Sequence, residues 1–199
     1  WDATPRVHSI WNRVFERHPE TDLRVTREDV ERCMGKTMEE IGEILMPGMD
    51  VSFQKKIMDE IGEEEVVYLE EYGGFLFDGI RETITSLKET YDLFIVSNCQ
   101  DGYVQAFLSA HHFTDDFKDI EMSGRTGLSK GENIKLVMER NNLEKAVYVG
   151  DTTGDQNGAV YAGIPFIHAA YGFGTVTGAD AVIHKPAELP DVLMDVFTR

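Results

Sequence analysis

Beyond about residue 79, the chain alternates between stretches with helical spacing and short, mostly apolar runs. The runs predicted as strands lie at 93–96, 119–122, 146–150, 165–168 and 181–183. The predicted helices lie at 79–90, 102–111, 131–141 and 155–162, and a last helix closes the chain. Strands joined by helical crossovers run parallel, and helices then cover both faces of the sheet. The alternation therefore predicts an α/β fold built on a parallel sheet.

The first third of the chain has helical spacing and no convincing strand. Thr4-Pro5 marks the start of a first helix, because proline is favoured at the first helical position. Two capping-box patterns predict the starts of further helices, Thr26 with Asp29 and Thr37 with Glu40. Helices continue to about Gly73-Gly74. Residues 7–73 are therefore predicted to form a small helical unit.

Two carboxylates follow the predicted strand at 146–150. The strand ends at Gly150, and Asp151 and Asp155 come next in the chain. Ligands of open α/β sheets bind at the carboxyl ends of the strands. Two carboxylates held there repel each other unless a cation joins them, and ligands that offer only oxygen suit Mg²⁺. The alternative is that an aspartate simply caps the next helix.

Two other places carry polar groups suited to binding an anion. Ser97-Asn98 follows the strand at 93–96, where a hydroxyl, an amide and the N–H groups of a helix start can donate together. The alternative is that these residues only cap the helix. Lys130 stands at the front of a helix, where a cation is unfavourable without an anionic partner. The alternative is an idle surface lysine.

Charge and composition exclude several classes of partner. The net charge is −17 and basic residues do not cluster, which argues against nucleic acid. An anionic substrate must therefore be attracted by a local cation or metal. Cys33 and Cys99 are too few for a disulfide framework. No apolar run approaches the ~20 residues of a membrane span and no signal peptide is visible, so a cytoplasmic location is expected.

Taken in order, Ser97-Asn98, Lys130 and the Gly150-Asp151 to Asp155 segment resemble three signatures of the haloacid dehalogenase-like superfamily. They correspond to its second, third and fourth signatures, and the phosphoglycolate phosphatase-like and β-phosphoglucomutase-like members are the most similar. The resemblance implies a Rossmann-like core of residues 1–6 and 74–199. It also implies that residues 7–73 are the small helical cap inserted in that core.

The first signature of the superfamily is absent from the sequence. It is a strand ending in Asp-x-Asp, and Trp1-Asp2 resembles the part just after it. The nucleophilic aspartate and the acid/base aspartate are therefore expected before Trp1, together with the first core strand. Asp2 is the downstream acid and is expected to cap a helix. The polypeptide of residues 1–199 alone is expected to be inactive.

The resemblance implies a Mg²⁺-dependent phosphatase that hydrolyses a small phosphorylated metabolite through an aspartyl-phosphate. Asp151 would bind Mg²⁺, and Asp155 would bind it through water or hold Asp151 in place. Ser97 and Asn98 would donate hydrogen bonds to the phosphoryl oxygens. Lys130 would offset the negative charge of the nucleophile and the phosphate.

Two cations of the predicted cap are candidate substrate contacts. Arg32 and Lys36 flank Gly35 in a turn, although ordinary solvated surface charge would look the same. Two other functions remain open at this stage. One is a phosphomutase of the β-phosphoglucomutase type, which shares the phospho-aspartate. The other is a catalytically silent binding protein with the same fold.

Overall fold

The computed structural model describes residues 1–197, which form two compact units. The helical unit comprises Trp1–Phe75 and Asn98–Thr114. The sheet unit comprises Leu76–Ser97 and the chain from Asp115 onward. Within residues 1–197, no helix combines the length and the apolar composition needed to span a membrane.

The helices and strands follow the predicted order. The helices are α1 (Thr4–Glu16), α2 (Arg27–Cys33), α3 (Met38–Leu45), α4 (Val51–Tyr72), α5 (Ile80–Leu87), α6 (Tyr103–His111), α7 (Ser123–Thr126), α8 (Lys130–Arg140), α9 (Thr153–Ala162) and α10 (Leu189–Phe197). The strands are β1 (Phe94–Ser97), β2 (Asp119–Met122), β3 (Tyr148–Gly150), β4 (Phe166–Ala169) and β5 (Ala181–Ile183). The predicted α/β fold with parallel strands is confirmed, with element ends shifted by a few residues.

The strands of the sheet unit pair in parallel in two groups. β1 pairs with β2, and β4 lies between β3 and β5. An apolar cavity of ≈ 650 Å³, here called the slot, is lined by both β1 and β3. Its wall includes Ile95 of β1 and Val149 of β3, and it continues over α8 and α10. β1 and β3 are therefore the two strands that border the slot, and neither pairs with the other.

The helical unit has a core formed by one face of α1 and the inner face of α4. The buried residues of α1 include Val7, Ile10 and Val14, as the helical spacing predicts. Both predicted capping boxes, at α2 and α3, are present. The boundary predicted at residue 73 placed α6 with the sheet, but α6 belongs to the helical unit. The reason is close packing: a Cβ on Gly102 would lie 3.0 Å from Val66 of α4.

A carboxyl group lies inside the helical unit. Glu65 of α4 is 4% exposed, and the indole of Trp11 and the amide of Gln100 donate hydrogen bonds to it. Burial raises the pKa of Glu65 from 4.5 to about 7, although both hydrogen bonds oppose the shift. The native state therefore binds this proton more tightly than the unfolded chain does. The stabilisation is complete below pH 4.5 and is lost as the pH rises to about 7.

This raised pKa gives a stability prediction. Relative to Glu65→Gln, the wild-type protein should lose on the order of 3 kcal/mol of unfolding free energy between pH 4.5 and 7, because one pH unit corresponds to about 1.4 kcal/mol. Urea titrations of both proteins at several pH values measure this difference. The amide keeps an oxygen for the Trp11 indole but loses the acceptor of Gln100. That loss does not vary with pH, so the pH-dependent part of the difference reports the Glu65 titration. A difference that stays constant across this pH range would contradict the assignment.

Candidate active site

Lys130 and Asp155 form a buried ion pair in the sheet unit. Lys130 is the first residue of α8, and its Nζ donates to Asp155 Oδ1 on α9. The two side chains are 9% and 7% exposed. A Cβ on Gly158 would lie 2.9 Å from Lys130 Cγ, so this glycine lets the lysine stem lie against α9. The interpretation of Lys130 as an idle surface residue is therefore wrong.

The carboxylate of Asp155 fixes the turn that carries Asp151. Its Oδ2 accepts from Asp151 N at 3.0 Å, from Thr152 N at 2.9 Å and from Thr152 Oγ1 at 2.8 Å. Thr152 is the N-cap of α9, and Asp155 is its capping-box partner. With Lys130 on Oδ1, both oxygens of Asp155 are engaged. The geometry favours the role of holding Asp151 over that of binding Mg²⁺ through water.

Charge and burial set the protonation of the pair. Burial alone would lower the pKa of Lys130, but the charges of Tyr148 and Asp155 outweigh it and the pKa is raised. Burial alone would raise the pKa of Asp155, but the Lys130 charge and the Thr152 hydrogen bonds hold it below its ordinary value. The pair therefore stays charged at neutral pH. The Asp155 contribution is lost as the pH falls through its lowered pKa, and the Lys130 contribution is lost as the pH rises above the ordinary lysine pKa of 10.5.

Asp151 lies at the carboxyl end of β3 under a tight loop. Its Oδ2 accepts from Phe173 N at 2.6 Å. A Cβ on Gly172 would lie 2.3 Å from Asp151 Cβ, and one on Gly174 would lie 2.4 Å from Asp151 O. Burial raises the pKa of Asp151, the charge of Asp155 adds to the rise, and the Phe173 N–H opposes it. The N–H of Asp151 itself also opposes the rise.

Gly172→Ala tests how closely this loop must approach Asp151. The added methyl would overlap Asp151 Cβ, and relieving such overpacking costs about 1–3 kcal/mol. The unfolding free energy should fall by this amount, and the position of Asp151 should change. Urea unfolding measures the first effect and a crystal structure the second. Unchanged stability with Asp151 in place would show that the loop yields without cost.

Tyr148 connects the end of β1 with the ion pair. Its hydroxyl donates to Val96 O at 2.7 Å, and Lys130 Nζ lies 5.8 Å from its ring centroid. Burial raises the pKa of Tyr148 to about 12, although the charge of Lys130 opposes the rise. Ser97 follows Val96 as the last residue of β1. The sheet unit thus brings the end of β1, Lys130 and Asp151 close together.

The remaining predicted residues belong to the helical unit. Asn98 directly follows Ser97, and its Nδ2 donates to Gly35 O at 2.8 Å. Arg32 forms an ion pair with Asp29 on its own helix. Lys36 directly follows Gly35 in the turn that Asn98 contacts. Asp2 Oδ1 accepts a hydrogen bond from the N–H of Thr4, the first residue of α1, and the N-cap position itself is Ala3.

A metal ion would find part of its ligand set here. In the part of the chain that the structure describes, no group of three or more His, Cys, Asp or Glu side chains could hold a metal ion. Mg²⁺ does not need such a group, because it binds one or two carboxylates and completes its shell with water and phosphate oxygens. Asp151 fits this requirement, since a buried carboxylate of raised pKa gains from a nearby cation.

Sequence reasoning missed four residues that build the site. The sequence alone gives no role to Thr152 or Tyr148, and none to the loop with Gly172 and Phe173. The signals were present for two of these features. Thr152 and Asp155 have capping-box spacing, and Gly172 and Gly174 form a Gly-x-Gly segment just after β4.

The comparisons with known proteins give the family. The model of the haloacid dehalogenase-like hydrolases matches residues 1–169, and the chain therefore belongs to this family. No curated protein sequence matches the chain.

Solved structures share the fold. A protein from Bacteroides fragilis, assigned to the haloacid dehalogenase-like hydrolases, is 26% identical with a TM-score of 0.82, covering 94% of this chain and 93% of its own. A predicted phosphoglycolate phosphatase from Haemophilus somnus 129PT is 17% identical with a TM-score of 0.82, covering 96% and 92%. CbbY from Rhodobacter sphaeroides, solved in complex with phosphate, is 18% identical with a TM-score of 0.73, covering 94% and 90%.

Proposed function

We propose that this protein is a Mg²⁺-dependent phosphatase that hydrolyses a small phosphorylated metabolite through an aspartyl-phosphate. The observation that carries the proposal is the buried Lys130–Asp155 pair, which holds Asp151 at the carboxyl end of β3. Phosphoryl transfer needs fixed groups that neutralise charge more than it needs elaborate covalent chemistry. The phosphate bound to the related fold of CbbY supports the same class of ligand.

Each residue has a role in this proposal. Ser97 and Asn98 donate hydrogen bonds to the oxygens of the phosphoryl group. Lys130 offsets the negative charge that gathers there, and Asp155 holds the backbone N–H of Asp151. Asp151 would hold Mg²⁺, which, when bound, offsets the repulsion between the phosphate and the carboxylates of the site.

We also propose that the nucleophilic aspartate lies on a strand that precedes Trp1 and occupies the slot. The slot is apolar and is bordered by two strands that do not pair with each other. A parallel strand seated there would pair with both β1 and β3, and its carboxyl end would meet Ser97 and Asp151.

Hydrolysis of the phosphate ester by an aspartate on that strand needs no reagent other than water. Its carboxylate attacks phosphorus, the bond from phosphorus to the ester oxygen breaks, and the second aspartate of the signature protonates the leaving oxygen. That residue then takes a proton from water, which cleaves the aspartyl-phosphate. Inorganic phosphate leaves and the nucleophilic carboxylate is restored.

For the rest of the substrate we favour Lys36 over Arg32 as the contact. Asn98 binds the carbonyl of Gly35, the neighbour of Lys36 in the chain. Arg32 is engaged by Asp29. If Lys36 binds a second anionic group of the substrate, Lys36→Met should raise KM for such substrates without changing it for a simple aryl phosphate.

The test compares two polypeptides with p-nitrophenyl phosphate. The intact protein, with the residues that precede Trp1, should release inorganic phosphate with Mg²⁺ and stop when EDTA is added. Residues 1–199 alone should release none. Isomerised sugar phosphate in place of free phosphate would indicate a phosphomutase. No turnover of a phosphometabolite panel by the intact protein would contradict the proposal and favour a binding protein.

A further inference from the structure

The turn that follows β1, residues 98–102, is held against α4 by a half-buried glutamine, Gln100. Gln100 Nε2 donates to Glu65 Oε2 at 2.6 Å. A Cβ on Gly62 would lie 3.3 Å from Gln100 Cγ, so the glutamine side chain also packs directly on α4. Glu65 and Gly62 are one helical turn apart and share a face of α4. The turn is therefore docked on that face.

Glu65 is itself fixed from the opposite side. Its Oε1 accepts from Trp11 Nε1, and Trp11 is 1% exposed in the core of the helical unit. Each oxygen of Glu65 thus accepts from its own donor. Removing the carboxylate or the Gln100 amide would leave a buried polar group without its partner, which costs more than the bond itself contributes.

The same turn carries Asn98, two residues before Gln100. Its Nδ2 donates to Gly35 O at 2.8 Å, a bond that fixes the amide rotamer. The proposed function gives the same amide a second role, as a donor to the phosphoryl oxygens. Binding a phosphoryl group requires the backbone of residues 98–102 to stay in position, because that backbone sets the direction in which the Asn98 side chain points.

We propose that Glu65 and Gln100 are positioning residues for Asn98. The Glu65–Gln100 hydrogen bond fixes the backbone of residues 98–102, and the Asn98 amide keeps its direction as a result. Neither residue touches the substrate. The inference rests on the proposed function only for the statement that Asn98 binds the phosphoryl group, and the docking of the turn is testable without any activity.

The test compares Gln100→Leu with Gln54→Leu in the intact protein. Gln54 is a matched control, because it is a buried glutamine of α4 whose Nε2 donates to Met46 O at 2.8 Å, away from the turn. Gln100→Leu should shift the Asn98 side-chain amide signals in ¹⁵N spectra and speed hydrogen exchange at 98–102. With p-nitrophenyl phosphate, kcat should fall by about 10- to 100-fold, as expected for a slightly misplaced group, while KM changes little. Gln54→Leu should show none of these changes.

The outcomes separate the inference from the proposed function. Native Asn98 signals and native exchange in folded Gln100→Leu would overturn the positioning role. A disturbed turn together with an inactive wild-type protein would support it and contradict the phosphatase. If Gln100→Leu does not fold, the double variant Glu65→Gln/Gln100→Glu decides, because its new amide at position 65 can accept from Trp11 and donate to the new carboxylate. Native Asn98 signals in that variant support the inference, and altered signals overturn it.

Discussion

Lys130→Met is expected to cost both stability and activity. The change leaves the Asp155 carboxylate buried beside only neutral donors. Breaking a buried ion pair in this way costs about 3–5 kcal/mol. Loss of a preorganised charge at the reacting group lowers kcat by about 10²- to 10³-fold. Urea unfolding and phosphate release from p-nitrophenyl phosphate by the intact protein measure the two effects.

Two further variants make this result interpretable. Lys135→Met removes an exposed lysine from the same helix and should change neither quantity by much. Lys130→Met/Asp155→Asn removes both charges, leaves no unpaired charge buried, and keeps an amide oxygen for the N–H groups of Asp151 and Thr152. The double variant should therefore regain most of the lost stability and none of the activity. Full activity in Lys130→Met would remove the lysine from the proposed mechanism.

The order and direction of the elements were predictable because they depend on local patterns. The helix starts at Thr26 and Thr37 follow from capping boxes, in which the polar partners are three residues apart. The parallel arrangement follows from helices that intervene between strands. The division of the strands into two groups was not predictable from periodicity. The pattern of apolar residues in a strand indicates which side chains are buried, but not which strand pairs with it.

The candidate site was predictable only as a set of residue types. The sequence indicates that Lys130 needs an anion, but it does not name Asp155, which lies 25 residues away. That contact depends on how α8 packs on α9, and small residues decide it. A Cβ on Gly131 would lie 2.6 Å from Tyr161, so the two helices approach as closely as glycine allows. Glycine inside a helix lowers helix stability, so a glycine at such a position indicates that another element packs closely against it.

The placement of α6 and Asn98 shows a second limit of sequence reasoning. The predicted boundary at residue 73 assumed that everything beyond it belongs to the sheet. α6 instead packs on α4, because Gly102 lets the chain come close to Val66. Gln100 looks like an ordinary loop residue in the sequence. Its buried acceptor is Glu65, and no local pattern connects the two.

Asp151→Asn should separate function from stability. The amide keeps an oxygen for the Phe173 N–H but loses the charge that would hold Mg²⁺. Phosphate release by the intact protein should fall by about 10²- to 10³-fold, because charge neutralisation at the phosphate is lost. The raised pKa of Asp151 means that the folded state disfavours the ionised form. Above that pKa the ionised carboxylate weakens the native state, so the variant should be as stable as the wild-type protein or more stable.

Mg²⁺ titration gives the measurement that does not depend on turnover. A ligand that binds only the native state raises the unfolding free energy, by about 2.7 kcal/mol at 100 times its dissociation constant. The melting temperature of the wild-type protein should therefore rise with Mg²⁺, and that of Asp151→Asn should not. Asp180→Asn is the matched control, because Asp180 also accepts a backbone N–H, from Phe166 at 2.8 Å, away from the site. An equal rise in melting temperature in all three proteins would mean that Asp151 does not hold the ion. Asp151 and Asp155 would then serve only to shape the turn between β3 and α9.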